Sequence, residues 1–353
     1  MGMKVLPTEE QVMFRDATAR WVEAEADAGA DMAAQWAQFA ELGWLMVAIP
    51  EDAGGLGGDV YDNAIIAEEL GKGLVAAPYV GVAVTATQLL LALAPDRLEA
   101  LASGEEIPLM AHVEAGQGGD PSWVETTAQQ AGDSWKLTGA KTAILGAPLA
   151  TSFLVSAKTG QGRIGLFEVA ASDARLREYL YFDMRPAGDL VLDGTPATLI
   201  AEDALSAIEF AVDCEHVVES AEAVGVMNTA FELTREYLNT RQQYGQLIGQ
   251  FQALQHRLAD MFIELEQARS VVLRGLDALV RNDTDRSAMA AACRVKVAQA
   301  GHFVGAQGIQ LHGGIGVTEE YPVGHHFRQL IAFEMRHGGA GAQVERYAGM
   351  MEL

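Results

Sequence analysis

Cysteine, long apolar runs and positive charge are all scarce in this chain, and each scarcity excludes something. Only 2 cysteines, Cys214 and Cys293, occur in 353 residues. That is too few for a disulfide framework and fits a reducing cytoplasm. Although 50% of the residues are hydrophobic, no uncharged apolar run reaches the roughly 18–20 residues a membrane span requires. Lys and Arg number 24 against 48 Asp and Glu, for a formal net charge of -24. Nucleic acid is therefore a poor partner, since phosphate neutralisation needs a basic face. An anionic ligand would have to find local cations or helix N-termini. The opening MGMKVLPTEEQVMF lacks the charged-then-apolar pattern of a secretory signal, so a soluble, cytoplasmic protein is expected.

Familiar chemical motifs are missing too. "GGLGGD" and "HGGIGV" are glycine-rich but do not match the dinucleotide fingerprint G-x-G-x-x-G, and neither sits in a strand-to-helix turn. There is no P-loop, no H-E-x-x-H and no paired C-x-x-C, so no metal site is expected. The adjacent His325 and His326 point apart on a helix and read as surface histidines.

What is present falls into three textures. From Thr8 to Leu101 the residues are Ala-, Glu- and Leu-rich at helical spacing, broken at "IPEDAGGLGGD" (49–59). From Pro108 to Leu205 short apolar or alternating runs, "SWKLTGAKTAIL", "TSFLVSAK", "RIGLFEVA" and "DLVLDG", predict strands of a compact β lobe. From Ser206 onward the helical period returns, with Phe251, Leu254, Leu258 and Phe262 on one stripe. An α+β chain with domains at 1–107, 108–205 and 206–353 is expected. The chain has no 20–50 residue repeat and no low-complexity tail.

Four ordered stretches then carry a resemblance: "WAQFAELGWLMVAIPEDAGGLGGDVYDNAIIAEEL" (36–70), "DSWKLTGAKTAI" (133–144), "TRQQYGQLIGQFQALQHRLADM" (240–261) and "QLHGGIGVTEEYP" (310–322). Together they resemble the acyl-CoA dehydrogenase family over essentially the whole chain. The resemblance implies an N-terminal helical domain, a small central β-barrel domain and a C-terminal four-helix bundle, with FAD as cofactor, an acyl-CoA thioester as substrate and an electron-transferring flavoprotein as acceptor. It also implies a role for the T-R-x-x-[FY]-G corner, whose Arg reaches the FAD pyrophosphate of a neighbouring subunit. Arg241, Tyr244, Gln310, Gly313 and Gly314 occupy the matching positions. A guanidinium fork suits a diphosphate, and glycines let backbone N–H groups approach it. The plainer reading of Arg241 is a helix cap; the two motifs together favour FAD.

The other half of a flavin site departs from the family pattern. T-E-P-x-x-G-S-D reads here as "VEAGQGGD", with Val113 for Thr and Gly119 for Ser, and W-[IS]-T reads as "AIL", with Ala143 for Trp and Leu145 for Thr. The usual catalytic carboxylate is also missing, because His337 stands at the Y-E-G-T position and Gln329 replaces the preceding Asp. Some branches place the base ten residues ahead of the glycine of "AVG", which here is Glu215. Against that role, Glu215, Glu219 and Glu222 follow i, i+4, i+7 spacing and read as a solvated acidic face. Cys214, beside Glu215, reads as a small buried residue.

The resemblance therefore points to one subunit of an α2β2 acyl-CoA dehydrogenase, paired with a second, unlike chain and acting on a bulky acyl-CoA such as a sterol or bile-acid side chain. Two alternatives stay open: a self-sufficient homotetramer using Glu215, and a flavin-free scaffold member.

Overall fold

The computed structural model describes residues 7–26, 31–132 and 134–351. The first six residues of the N-terminal stretch and Asp133 of the β-lobe motif lie outside them. In chain order the helices α1 (Glu9–Glu25), α2 (Met32–Glu41), α3 (Val60–Lys72), α4 (Thr87–Leu93) and α5 (Leu98–Ala102) come first. Strands β1 (Pro108–Ala111), β2 (Thr127–Ala131), β3 (Ser134–Leu145), β4 (Ser152–Lys158), β5 (Ile164–Ala170), β6 (Arg175–Leu180) and β7 (Pro186–Ala201) follow. Then come α6 (Leu205–Thr240), a small hairpin of β8 (Gln242–Gln243) and β9 (Gln246–Leu247), and helices α7 (Gln252–Val280), α8 (Arg286–His312), α9 (Val323–Met335) and α10 (Gly339–Met350). The order of helices, strands and helices is the one the periodicity predicts. Among the described residues no helix is long and apolar enough to cross a membrane.

The described residues form two units, one of 7–26, 64–75 and 219–351, the other of 31–63 and 76–218. In the second unit, Phe39 packs against Trp44 at 5.2 Å and edge-on to Tyr79 at 6.1 Å. The Tyr79 hydroxyl accepts from Asn63 Nδ2 at 2.9 Å, which satisfies its buried polar tip. A π-helical turn at Val80–Ala86 leads into α4, and Thr87 Oγ1 donates five residues back to Val82 O at 3.0 Å, as the wider turn requires.

The strands of this unit close on themselves. β4 pairs with β2, β2 with β3, β3 with β7, β7 with β5 and β5 with β4, while β1 adds to β4 and β6 to β7. Closure leaves these five strands without a free edge. The strand β3 matches the run "SWKLTGAKTAIL", and β4 is buried from Ser152 through Ala157. Polar TAQQA (β2) and RLREYL (β6) carry no apolar alternation, and periodicity did not find them.

In the first unit, Thr8 and Gln11 cap α1 reciprocally at 3.2 and 3.1 Å. Helices α3 and α6 touch backbone to backbone: a methyl group at Gly225 would lie 1.8 Å from Glu68 O, and one at Gly71 would lie 2.2 Å from Glu222 O. Helices α7, α9 and α10 pack on α8. The buried face of α7 is Met261, Leu265, Ala268, Val272 and Leu276. That corrects the predicted stripe: Phe251, Leu254 and Leu258 are half-buried, and Phe262 is 50% exposed.

Candidate active site

The corner that closes α6 is built to project side chains outward. Arg241 N still bonds Tyr237 O at 2.9 Å, and Ile248 N returns to Arg241 O at 2.9 Å. Between them β8 and β9 pair through a two-residue turn in which Tyr244 (φ 54) and Gly245 (φ 81) are both left-handed, the conformation of a type I′ hairpin turn. Glycine adopts it freely, whereas tyrosine does so under strain. The Tyr244 ring is 92% exposed. Arg241 is also exposed, and among the described residues its guanidinium has no ion-pair partner, despite the chain's acidic excess. The helix cap considered for it is thus not formed.

The second motif lies at the end of α8. Gly313 (φ 65, ψ -140) stops the helix, with its N–H directed to the carbonyls of Gln310 and Ile309. Gln310, Gly313 and Gly314 are exposed, and a methyl group on either glycine would meet nothing within 4 Å. An unpaired guanidinium, an exposed ring and two open glycines fit an anionic, aromatic ligand such as the flavin dinucleotide.

Within the β unit, a buried network around Glu114 and Lys141 holds the segments "VEAGQGGD" and "AIL". Glu114 accepts from Glu125 N at 2.7 Å, Thr126 N at 3.0 Å and Lys141 Nζ at 2.6 Å. Lys141, whose side chain is 0% exposed, also donates to His112 O at 3.2 Å and Ser156 Oγ at 2.9 Å. All three of its donors are used. Burial lowers the Lys141 pKa to about 8 against the opposing pull of Glu114. For Glu114, burial raises the pKa, but Lys141 and Thr126 outweigh it and hold the carboxyl below its usual range.

Thr142 N bonds Val113 O at 2.8 Å. Ala143 sits in a β3–β7 irregularity with φ 56, and its N–H is caught by Asp189 Oδ1 at 3.1 Å. Val113, Gly119, Ala143 and Leu145 carry neither hydroxyl nor indole, so these positions have only backbone groups to offer a flavin.

The turn where the family carries its base is latched. Glu219 accepts from Arg294 Nη1 at 2.7 Å, from Arg336 Nη1, and from His337 Nε2 at 3.3 Å. Arg294 also donates to Phe333 O at 2.7 Å and lies 3.9 Å over the Phe333 ring. His337 adopts φ 54, ψ 38, and Gln343 Nε2 donates to its carbonyl at 2.8 Å. Burial pushes the His337 pKa down to about 4, partly opposed by Glu219. The imidazole is neutral, a weak base, and already committed to Glu219. Burial alone would raise the Glu219 pKa, but Arg336, His337 and Arg294 hold it well below the usual carboxylate range.

The acidic stripe is consequently not a solvated face. Glu219 is 4% exposed, and Glu215 and Glu222 are half-buried, with Gln329 Nε2 donating to Glu222 at 2.9 Å. The overlooked signal was Arg294, a cation inside the Ala-rich "AACRVKVAQAG". His326 is buried as well, against the surface expectation, with its ring nitrogens facing Pro322 O at 2.9 Å and Lys72 O at 3.3 Å. Cys214 is fully buried, as its residue type predicts.

The helical order, the closed strand ring and the corner-plus-glycine pair describe a dehydrogenase that handles a flavin. Comparison makes this specific. Residues 8–99 match the model of the acyl-CoA dehydrogenase N-terminal domain and residues 206–348 that of the C-terminal domain. The chain is 30% identical over 329 residues to the acyl-CoA dehydrogenase FadE27 of Mycobacterium tuberculosis, covering 88% of this chain and 86% of that one. It is 29% identical over 349 residues to the acyl-CoA dehydrogenase IpdE2 of the same organism, covering 95% and 93%. Among solved structures, a variant of the Tcur3481–Tcur3483 steroid ACAD superposes with TM-score 0.89 at 28% identity, covering 97% of both chains. A chain of the ChsE4–ChsE5 complex from Mycobacterium tuberculosis gives TM-score 0.89 at 26% identity, covering 99% and 98%. The chain belongs to the acyl-CoA dehydrogenase family and has its fold, and FAD-dependent dehydrogenation of acyl-CoA is the family's chemistry.

Proposed function

We propose that this chain is the complementing subunit of an α2β2 acyl-CoA dehydrogenase that oxidises a bulky acyl thioester, of the sterol or bile-acid side-chain class. The observation that carries the reading is an asymmetry. The groups that serve a neighbour's cofactor, Arg241, Tyr244, Gln310, Gly313 and Gly314, are exposed, whereas the flavin-facing positions of its own β unit have lost their donors. The latched His337 supports the same view, since the usual base position carries an imidazole bonded to Glu219. FAD, when bound, accepts the β hydride as a carboxylate removes the α proton.

In this reading Arg241 holds the diphosphate and the glycines admit it closely, while the unlike subunit supplies the base. The substrate class is supported by similarity to the steroid ACAD, and the pairing of unlike chains by similarity to the ChsE4–ChsE5 complex. The electron acceptor is an electron-transferring flavoprotein, the compartment is the cytoplasm, and the functional domains are 1–107, 108–205 and 206–353.

Flavin content of the purified chain, read from absorbance near 450 nm, tests this when combined with mass by light scattering and acyl-CoA-dependent dye reduction. The chain alone is expected to be colourless and inactive. Colour and turnover are expected on co-expression with an adjacent dehydrogenase-like chain and are expected to be lost in Arg241→Ala. One FAD per chain with turnover that Glu215→Gln abolishes would establish a homotetramer with Glu215 as base instead. A stable protein colourless under every pairing would establish a scaffold.

A further inference from the structure

Three aromatic rings from three separate segments meet behind the exposed corner. Tyr237, one turn before Arg241, lies 4.6 Å from His312 at 32°. His312 also lies 4.7 Å from Tyr321 at 51°, and the two tyrosines meet edge-on at 6.1 Å, so the three rings form a triangular cluster. His312 is 3% exposed, although it directly precedes the open Gly313. Its Nδ1–H donates to Gly308 O at 2.7 Å, which fixes the tautomer and the ring plane. Burial lowers its pKa, against the carbonyls of Gly308 and Leu233 that face it.

The neighbouring contacts leave little slack. A methyl group at Gly308 would lie 3.4 Å from Thr234 Oγ1 and 3.1 Å from Val323, so α6, α8 and the start of α9 meet closely here. Beyond the glycines, Thr318 Oγ1 donates to Ile315 O at 2.9 Å, and Arg328 bonds Glu319 at 3.0 Å.

We propose that His312 is a positioning residue for the flavin corner: packed against both Tyr237 and Tyr321, it sets the distance between Arg241 at the end of α6 and Gly313–Gly314 at the end of α8. The inference rests on the reading that these groups hold the diphosphate of a flavin. Neither Arg241 nor the glycines are braced by an ion pair of their own, so their spacing depends on what lies behind them. Ring stacking is directional as well as apolar, and an aliphatic side chain of similar volume fills the space without fixing the angle.

The test compares His312→Phe with His312→Leu in the co-expressed flavin-containing complex. Free-FAD affinity is read by flavin fluorescence after removal and rebinding of the cofactor, alongside complex mass and melting temperature. The Phe variant is expected to stay within about 2-fold of the parent and the Leu variant to bind FAD about 10-fold more weakly. Tyr321→Leu, at a half-exposed position, should weaken binding in the same direction and covers the case in which His312→Leu does not assemble. Equal affinity of the Phe and Leu variants, or unchanged affinity in Tyr321→Leu, would overturn the proposal. Arg241→Ala is the control: loss of FAD there with full retention in both leucine variants sinks the positioning role alone, whereas retention in Arg241→Ala sinks the underlying reading.

Discussion

Arg294 Nη1 lies 2.7 Å from Glu219 Oε2, where the two side chains are 3% and 5% exposed. Removing one partner of such a pair strands the other's charge in a poorly solvated place. Because Arg336 and His337 still face Glu219 in its absence, Arg294→Met should lower the unfolding free energy by about 1–3 kcal/mol, read from urea denaturation. A single-variant loss below about 1 kcal/mol would mean the pair does not hold the α9–α10 turn.

The same cluster sets an acid response. Glu219 has its folded pKa held well below its ordinary value, so its contribution is present above the unfolded pKa and fades as pH falls through the folded one. The folded pKa of His337 is depressed from 6.5 to about 4. Between those values the unfolded chain binds a proton that the folded chain refuses, so stability falls on acidification. The two effects have the same sign. Denaturation midpoints at about pH 7, 5.5 and 4.5 should decline, and His337→Gln should flatten the part between about 6.5 and 4, worth at most about 3 kcal/mol. An unchanged slope in that variant would assign the acid response to other groups.

Backbone crowding between α3 and α6 makes a steric prediction. Gly225→Ala places a methyl group 1.8 Å from Glu68 O, and carbonyl oxygens held in a helix cannot step aside. A loss of about 3 kcal/mol or more, or failure to fold, is expected. Gly341→Ala in α10 meets nothing within 4 Å and should stabilise by about 0.5–1 kcal/mol. Melting temperatures moving in opposite directions check both.

The buried lysine of the barrel offers a double-mutant cycle. Lys141→Met leaves Glu114 ionised beside Thr126 and Glu125 N–H groups with no cation, and should cost about 3–5 kcal/mol. Glu114→Gln in the Lys141→Met background should be milder than the two single losses added together. Additive losses would show that Glu114 and Lys141 act independently.

The elements read correctly from sequence were those whose pattern is local. The strand β3 announced itself because alternation and bounding glycines lie within one dozen residues, and the corner after α6 because the motif that carries its resemblance is contiguous. The misreadings came from partners remote in the chain. Glu219 belonged to a solvated stripe only while Arg294 and Arg336 were out of view. His312 gave no signal, since its meaning comes from tyrosines at positions 237 and 321. β2 and β6 were missed because strands exposed on a barrel carry polar residues where the period should be seen.

Glu114, Lys141 and Asp189 hold the loop and the Ala143 irregularity through hydrogen bonds that use none of the side chains at positions 113, 119, 143 and 145. Support and lining are therefore separate inheritances: positions 113, 119, 143 and 145 could drift one at a time without the barrel unfolding.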